Sequence, residues 1–494
     1  MGIEEVAFDS PIAPSYSTTS SSSSKGRSTF IPSLFFGKRR FLWYTVLAGF
    51  LLFLIFSLYQ HSLVSLRHHS AKEIIESLTS NLDNHHQNNN NMKLNSGRSN
   101  IDNNNNQLEE NSSSDKTLPS NVTQSNSGGN NFHPFAHIFY YAWYKNEKHD
   151  KKYEHWNHKV LPHWTASTNE QYKHLVGKEH DPKLKQLATN FYPSRGAYSS
   201  TDKDVVMEQF LEIKNKANVH VIVLSWWGVS EADENGSNTE LITPFFMECA
   251  EEAGLQVIFH MEPYKGRNAA SVKRDIKYVI DKYGNSKAFF RHNGKPLFYM
   301  YDSYILSAEE WKTILSPNGK DTIRNTKYDS IIIGLYLNSG MRDNIKNSFM
   351  DGFYTYFAAD QFTEGSTCSK WQEISEWAHN NNLLFIPSIA PGYIDEKIRP
   401  WNKQNTKGRE NGQYYQRMFD AVLNLKHFPQ YITITSYNEW HEGTQIEPAI
   451  PITVNNPNSD QFDNIASAYL DYSPKDPDFY LTKTRENVNK IFKL

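Results

Sequence analysis

The stretch Tyr431-Ile-Thr-Ile-Thr-Ser-Tyr437 runs directly into Asn438-Glu439-Trp440-His441-Glu442-Gly443. Its first half alternates β-branched and small residues, the pattern of a buried strand. Its second half sets two carboxylates, an amide, an imidazole and an indole at that strand's C-terminal end. Strands that release ionisable and aromatic side chains at their tips are how α/β barrels assemble their sites.

Working outward, seven more apolar or β-branched runs precede this one: His137–Trp143, His220–Trp227, Gln256–Met261, Pro296–Tyr301, Ser330–Leu335, Gly352–Phe357 and Leu383–Ser388. Near-continuous apolar runs suit strands buried on both faces, as in a parallel sheet. Helical patterns lie between them. Val272, Ile276, Val279 and Ile280 make an apolar stripe that stops before Gly284, and Ser307–Glu310 and Ser369–Gln372 read as capping boxes. Met207, Phe210 and Leu211 fit a helix before the second strand, and Tyr415, Met418, Phe419, Val422 and Leu423 fit one before the last. Eight strands with intervening helices predict a (β/α)8 TIM barrel over residues 133–494. An open doubly wound sheet is the alternative, and no GxGxxG or GxxxxGK[ST] phosphate loop supports it.

The chain ahead of the barrel is built differently. Residues 1–40, with a Ser/Thr run and then Lys25, Arg27, Lys38, Arg39 and Arg40, cannot bury a core and predict a disordered cytosolic tail. Residues 41–59 carry no charge, and a helix of that length spans roughly the ~30 Å hydrocarbon layer. The basic cluster on its N-terminal side leaves the N-terminus cytosolic by the positive-inside rule. This is the expected signal-anchor helix, with the lipid bilayer as its partner. A cleaved signal peptide fits less well, because the run is long, starts late and has no small-x-small site. Residues 60–132 hold polyasparagine runs at 88–91 and 103–106 and predict a flexible luminal stem. Sequons at Asn111, Asn121 and Asn235 agree with a luminal glycoprotein.

A formal net charge of −3 gives no bulk attraction to nucleic acid. The two cysteines, Cys249 and Cys368, make no disulfide scaffold. No CxxC pair is present, and neither a metal nor a cofactor is expected.

The strand tips of the predicted barrel collect aromatic and polar groups on one rim. The first run ends in Tyr140, Tyr141, Trp143 and Tyr144, the second in Trp226-Trp227, and the third in His260-Met-Glu262-Pro-Tyr264. The fourth gives Tyr299, Tyr301 and Asp302, and the sixth gives Tyr354 and Tyr356. The loop after the seventh carries Tyr393, Asp395, Arg399 and Trp401. Ring faces pack on the C–H patches of pyranoses while amides and charges bond hydroxyls, so this rim describes a carbohydrate cleft. Acetal cleavage needs a proton for the leaving oxygen and an anionic group serving the sugar side, which is what Glu439 and Glu442 can supply.

The motifs FYYAWY (139–144), HWNH (155–158), LSWW (224–227), EPYKGR (262–267), PLFYMYDSY (296–304), DGFYTYFA (351–358), PGYID (391–395), IRPWN (398–402) and ITSYNEWHEGTQIE (434–447) occur in order. Through them the chain resembles glycoside hydrolase family 99, the endo-α-1,2-mannosidases. The resemblance implies a (β/α)8 barrel without cofactor. It implies cleavage of an α-1,2-mannosidic bond next to glucosylated mannose in high-mannose N-glycans, with release of Glc(1-3)-Man. It further implies retention of configuration through a 1,2-anhydro sugar, with Glu439 as base and Glu442 as acid. Tyr140, Trp226, Trp227, His260, Glu262, Tyr354, Tyr356, Trp401 and Asn438 are the implied sugar contacts. The anchor places such a protein in the Golgi membrane as a type II, single-pass chain with a luminal catalytic domain. A glycan-binding, lectin-like pseudoenzyme of the same fold is the alternative.

Overall fold

A computed structural model of the chain describes residues 132–233, 235–454 and 461–494. The expected tail (1–40), membrane helix (41–59), nearly all of the expected stem, and the sequons at Asn111 and Asn121 lie outside these residues. Among the described residues no helix is long and apolar enough to cross a membrane. Asn235 lies on an exposed turn.

All eight apolar runs form strands: β1 (Ala136–Tyr140), β2 (Val221–Trp226), β3 (Gln256–Met261), β4 (Lys295–Met300), β5 (Ile331–Leu335), β6 (Gly352–Tyr354), β7 (Leu384–Ile386, resuming as Ser388–Ile389) and β8 (Ile432–Ile434). Each pairs in parallel with its sequence neighbours, and β8 pairs with β1. β7 breaks at Pro387, which has no N–H to donate to a ladder. Its first piece pairs with β6 and its second with β8, so the ring closes through the covalent chain.

One main helix follows each strand: α1 (Lys203–Leu211), α2 (Thr243–Ala253), α3 (Ala269–Tyr283), α4 (Ala308–Leu315), α5 (Arg342–Asn347), α6 (Trp371–Asn380), α7 (Gln413–Leu423) and α8 (Phe479–Phe492). The Ser307–Glu310 capping box starts α4 as its sequence predicts. The Ser369–Gln372 box does not form. A 3-10 turn over Cys368–Lys370 takes Ser369 into itself, and α6 begins one residue later without a side-chain cap.

Side chains alternate across each strand, and the alternation decides which aromatics reach the site. Along β1, His137 and Phe139 enter the barrel, where the Phe139 ring meets those of His260, Tyr354 and Tyr356 at 4.8, 5.9 and 5.1 Å. Tyr140 faces outward against Phe210 of α1 and Phe246 of α2, with its hydroxyl on Gln209. The interior is therefore tiered in rings. At the floor, the His137 Nε2–H donates to the Pro134 carbonyl and its Nδ1 accepts from the Tyr299 hydroxyl at 2.7 Å. Burial pushes the His137 imidazole down to about 3, which keeps this floor uncharged. Above it, Tyr354 donates to or accepts from His260 Nε2 at 2.7 Å, and Tyr356 packs on Tyr301 at 5.0 Å just under the rim.

Candidate active site

β8 ends at Ile434, and the next residues turn sharply over the mouth of the barrel. The Glu439 amide donates to Ser436 Oγ at 2.7 Å, and the His441 amide donates to Glu439 Oε1 at 3.1 Å. Gly443 closes the turn at φ +59°, where a Cβ would lie 2.5 Å from Ile394 Cγ2, so this position admits only glycine. The Ile394 amide donates to the Glu442 carbonyl at 2.8 Å and fixes the second glutamate against the loop after β7. Trp440 points down into the protein. Its indole N–H reaches Glu447 Oε2 at 2.9 Å, and Glu447 also accepts from Arg195, Tyr198 and Gln209 at 3.1, 2.8 and 2.8 Å. The loop is thus nailed at Trp440, and Glu439 and Glu442 on either side turn the other way.

Both glutamates line one hollow of about 110 Å³. Tyr141 and Trp143 wall it from β1, His155 and His158 from the following loop, and Trp227 from β2. His260 and Glu262 come from β3, Tyr301 from β4, Tyr356 from β6, and Ile398 and Arg399 from the β7 loop. Glu439 is 3 % exposed, while the Glu442 side chain keeps 24 % of its surface. The Tyr141 hydroxyl bonds that of Tyr356. Burial first, then Glu439, Glu262 and Glu442, push the Tyr141 phenol well above its ordinary value, so it stays a neutral hydrogen-bonding group among three carboxylates. Glu262 accepts from Ser225 Oγ at 2.7 Å and lies 3.0 Å from His260 Nδ1, close but out of line for a hydrogen bond. Arg399 Nη1 stands 3.5 Å from Glu442 Oε1 and 3.4 Å from Asp395 Oδ2, and Asp395 is itself held by Tyr393 and Asn402 at 2.8 and 2.9 Å.

Of the sugar contacts expected from sequence, Trp227, His260, Glu262 and Tyr356 face this hollow together with Glu439 and Glu442. Five do not. Tyr140 and Trp226 lie on the outer face of their strands, and the Trp226 indole donates to Glu240 at 2.8 Å. Tyr354 is one tier down, under His260. Asn438 is fully buried and clamps the Tyr141 backbone, accepting from its N–H at 2.8 Å and donating to its carbonyl at 2.9 Å. Trp401 packs edge-on against His163 and Trp164 at 4.6 and 5.0 Å, away from the carboxylates. Sequence reasoning passed over His155 and His158 as site residues. Both belong to the HWNH motif on the loop after β1, and that loop is as rich in histidine and tryptophan as the strand tips.

A second hollow, of about 300 Å³, lies behind the loop that carries Glu439 and Glu442. Its chemistry is different. Arg409 sits with its guanidinium over the rings of Phe191, Tyr472 and Tyr480 at 4.5, 4.8 and 4.5 Å. Its Nη2 donates to the carbonyls of Gly443 and Gln445 at 2.9 and 2.7 Å. The carboxylates there are occupied, Glu410 by Arg417 and Asp471 by the Ser473 amide. Among the described residues no group of three or more His, Cys, Asp or Glu side chains is arranged to hold a metal ion.

Residues 131–493 match the family described as Glycosyl hydrolase family 99. The chain is 41 % identical to a rat protein named glycoprotein endo-alpha-1,2-mannosidase, over 73 % of this chain and 75 % of that one. It is 43 % identical to a human glycoprotein endo-alpha-1,2-mannosidase-like protein, over 72 % and 76 %. Its fold superposes on the GH99 endo-alpha-mannosidase from Bacteroides thetaiotaomicron with a TM-score of 0.65 at 40 % identity, covering 73 % of this chain and 98 % of the bacterial one.

Proposed function

The chain belongs to glycosyl hydrolase family 99 and is a glycoside hydrolase, and from that premise we propose that it is an endo-α-1,2-mannosidase acting on glucosylated high-mannose N-glycans. It would cut next to the glucosylated mannose and release Glc(1-3)-Man. The observation that carries this reading is the opening of Glu439 and Glu442 into one aromatic-walled hollow at the strand tips.

The stereochemistry of the substrate suits a route through its own hydroxyl. In an α-mannoside the 2-oxygen and the leaving oxygen stand trans across the C1–C2 bond, so O2 can attack C1 from the side opposite the departing group. Glu439 takes the O2 proton while the new C1–O2 bond forms. The C1–O bond to the aglycone breaks, and Glu442 gives its proton to that oxygen. A water then attacks C1, opening the 1,2-anhydro ring. Glu442 recovers a proton from the water, Glu439 returns its own to O2, and two inversions leave net retention. Trp227 and Tyr356 offer faces to the sugars, and Glu262 and His260 offer hydroxyl partners. A binding-only role is the weaker reading, because a sugar-binding cleft needs no such pair of carboxylates as Glu439 and Glu442, which line the hollow together.

We place the catalytic domain in the Golgi lumen, behind a membrane anchor at 41–59, on the strength of that uncharged run and the adjoining Lys38-Arg39-Arg40. Asn111, Asn121 and Asn235 are then candidate glycosylation sites. Digestion of a monoglucosylated high-mannose glycan tests the reading. The expected products are the disaccharide and a glycan two hexoses shorter. Loss of single hexoses, or no cleavage by a folded protein, would overturn it.

A further inference from the structure

Two imidazoles on the wall of the hollow, and a carboxylate bonded to one of them, have no part in the steps above. His155 reaches it from the loop after β1, His441 stands between the two glutamates, and Asp233, on the loop after β2, bonds His155. They form a string. His155 Nε2 lies 2.9 Å from Asp233 Oδ2, His155 Nδ1 lies 3.4 Å from His441 Nε2, and His441 Nδ1 lies 2.9 Å from the Ala188 carbonyl. Asp233 is otherwise saturated, its Oδ1 taking the Asn235 and Ser237 amides at 2.9 Å each.

The protons of this string can be counted. A carbonyl only accepts, so His441 Nδ1 carries a hydrogen. His441 accepts at Nε2 if it is neutral, and His155 Nδ1 must then donate. A carboxylate only accepts, so His155 Nε2 must donate as well. Three hydrogen bonds need three protons, one more than two neutral imidazoles beside an ionised carboxylate would carry. Turning over the His155 ring would set a carbon against Asp233 and lose both bonds. We infer that Asp233 holds an additional proton on His155, and that the resulting string positions His441 and, through its peptide N–H, the catalytic carboxylate of Glu439.

The surroundings agree. Trp143 lies flat on His155, with centroids 4.2 Å apart and planes 9° apart, as a ring face lies against a cation. The His155 side chain is 1 % exposed and that of Asp233 is fully buried, so the pair replaces water with a partner of opposite charge. The titratable and charged groups facing His441 are Glu439, His155, Tyr144 and His158, with the last three rings 5.5, 6.0 and 5.0 Å away, and Arg399. Burial first, then His158 and His155, hold the His441 imidazole well below its ordinary range, which keeps it the neutral acceptor of the string. His155, Asp233 and His441 are positioning residues. Of the three, His441 meets Glu439 through its backbone amide, at 3.1 Å.

The inference rests on the hydrolase reading for its consequence but not for its chemistry, and the test separates the two. In the full chain labelled with ¹⁵N-histidine, both ring nitrogens of His155 should carry a hydrogen. Asp233→Asn should abolish one of those N–H signals. The same variant should fold, lower kcat by about ten- to a hundredfold with KM nearly constant, and move the acidic limb of the pH–rate profile upward, because Glu439 loses a firmly held donor. Asp233→Glu should restore part of the rate. A singly protonated His155 in the unaltered chain would overturn the string, and so would a variant whose rate and limb are unchanged. Should the unaltered chain release no disaccharide, the hydrolase reading fails while the nitrogen spectra still decide the string.

Discussion

Glu439 and Glu447 sit on the same loop, and both are almost completely buried, at 3 % and 0 % exposed. Their surroundings are opposite. Glu447 meets four donors, from Arg195, Tyr198, Gln209 and Trp440, which fill the lone-pair sites of a carboxylate. It can offer a substrate nothing, and what it does is hold Trp440 down. Glu439 faces the hollow shared with Glu442. Burial alone therefore does not tell a carboxylate that faces the hollow from one that holds the fold. The direction in which its oxygens open does, and Trp440 sets that direction for both neighbours.

Substitutions along the loop sharpen the contrast. Glu439→Gln and Glu442→Gln should each lower kcat by about a hundred- to ten-thousandfold, with the melting temperature little changed, as read by disaccharide release and calorimetry. Glu447→Gln should do the reverse. It leaves Arg195 partly uncompensated and sets an amide N–H₂ against donors, so stability should fall by about 3–5 kcal/mol in denaturant titration. If Glu447→Gln instead spared stability and abolished turnover, the division between the two carboxylates would be wrong.

Asp302 is an intermediate case: 2 % exposed, with Oδ1 taking the Tyr304 hydroxyl at 2.8 Å and Oδ2 buried without a hydrogen-bond partner. Burial pushes its carboxyl up to about 6. A folded value above the unfolded one means that protonation favours the fold. The contribution is complete below about pH 4 and is lost as pH rises towards about 6. Asp302→Asn, at a φ of +46° that asparagine tolerates, should therefore gain about 2 kcal/mol at pH 7 and little at pH 4, by urea unfolding at both. The smallest effect belongs to Arg399. Removing its guanidinium from beside Glu442 in Arg399→Gln takes away a cation that favours the ionised form. The carboxyl should rise, and the alkaline limb of the pH–rate profile should move to higher pH.

The barrel was legible because strands buried on both faces are written as unbroken apolar runs, and β7 remained readable across Pro387 because its flanks are apolar. The same property hid the facing of individual residues. Phe139 and Tyr140, or Trp226 and Trp227, are equally aromatic, and no polar alternation says which one enters the barrel. For that reason the sequence points Tyr140 and Trp226 at the hollow, and the structure sets both on the outer face of their strands. That Glu439 and Glu442 share one hollow is legible because strand and carboxylates adjoin in sequence. The meeting of His155, Asp233 and His441 could not, since three loops of no periodicity bring them together only when the ring closes.

The strap through Arg409 gives the far end of the chain a stake in turnover. Tyr480 belongs to α8, the last helix, and is one of the three rings under the guanidinium that grips the carbonyls of Gly443 and Gln445. Trimming that helix would remove one of the supports under this arginine and slacken the backbone beside Glu442 from behind. Helix α8 is accordingly a poor place for a truncation, although none of its residues lines the hollow that holds Glu439 and Glu442.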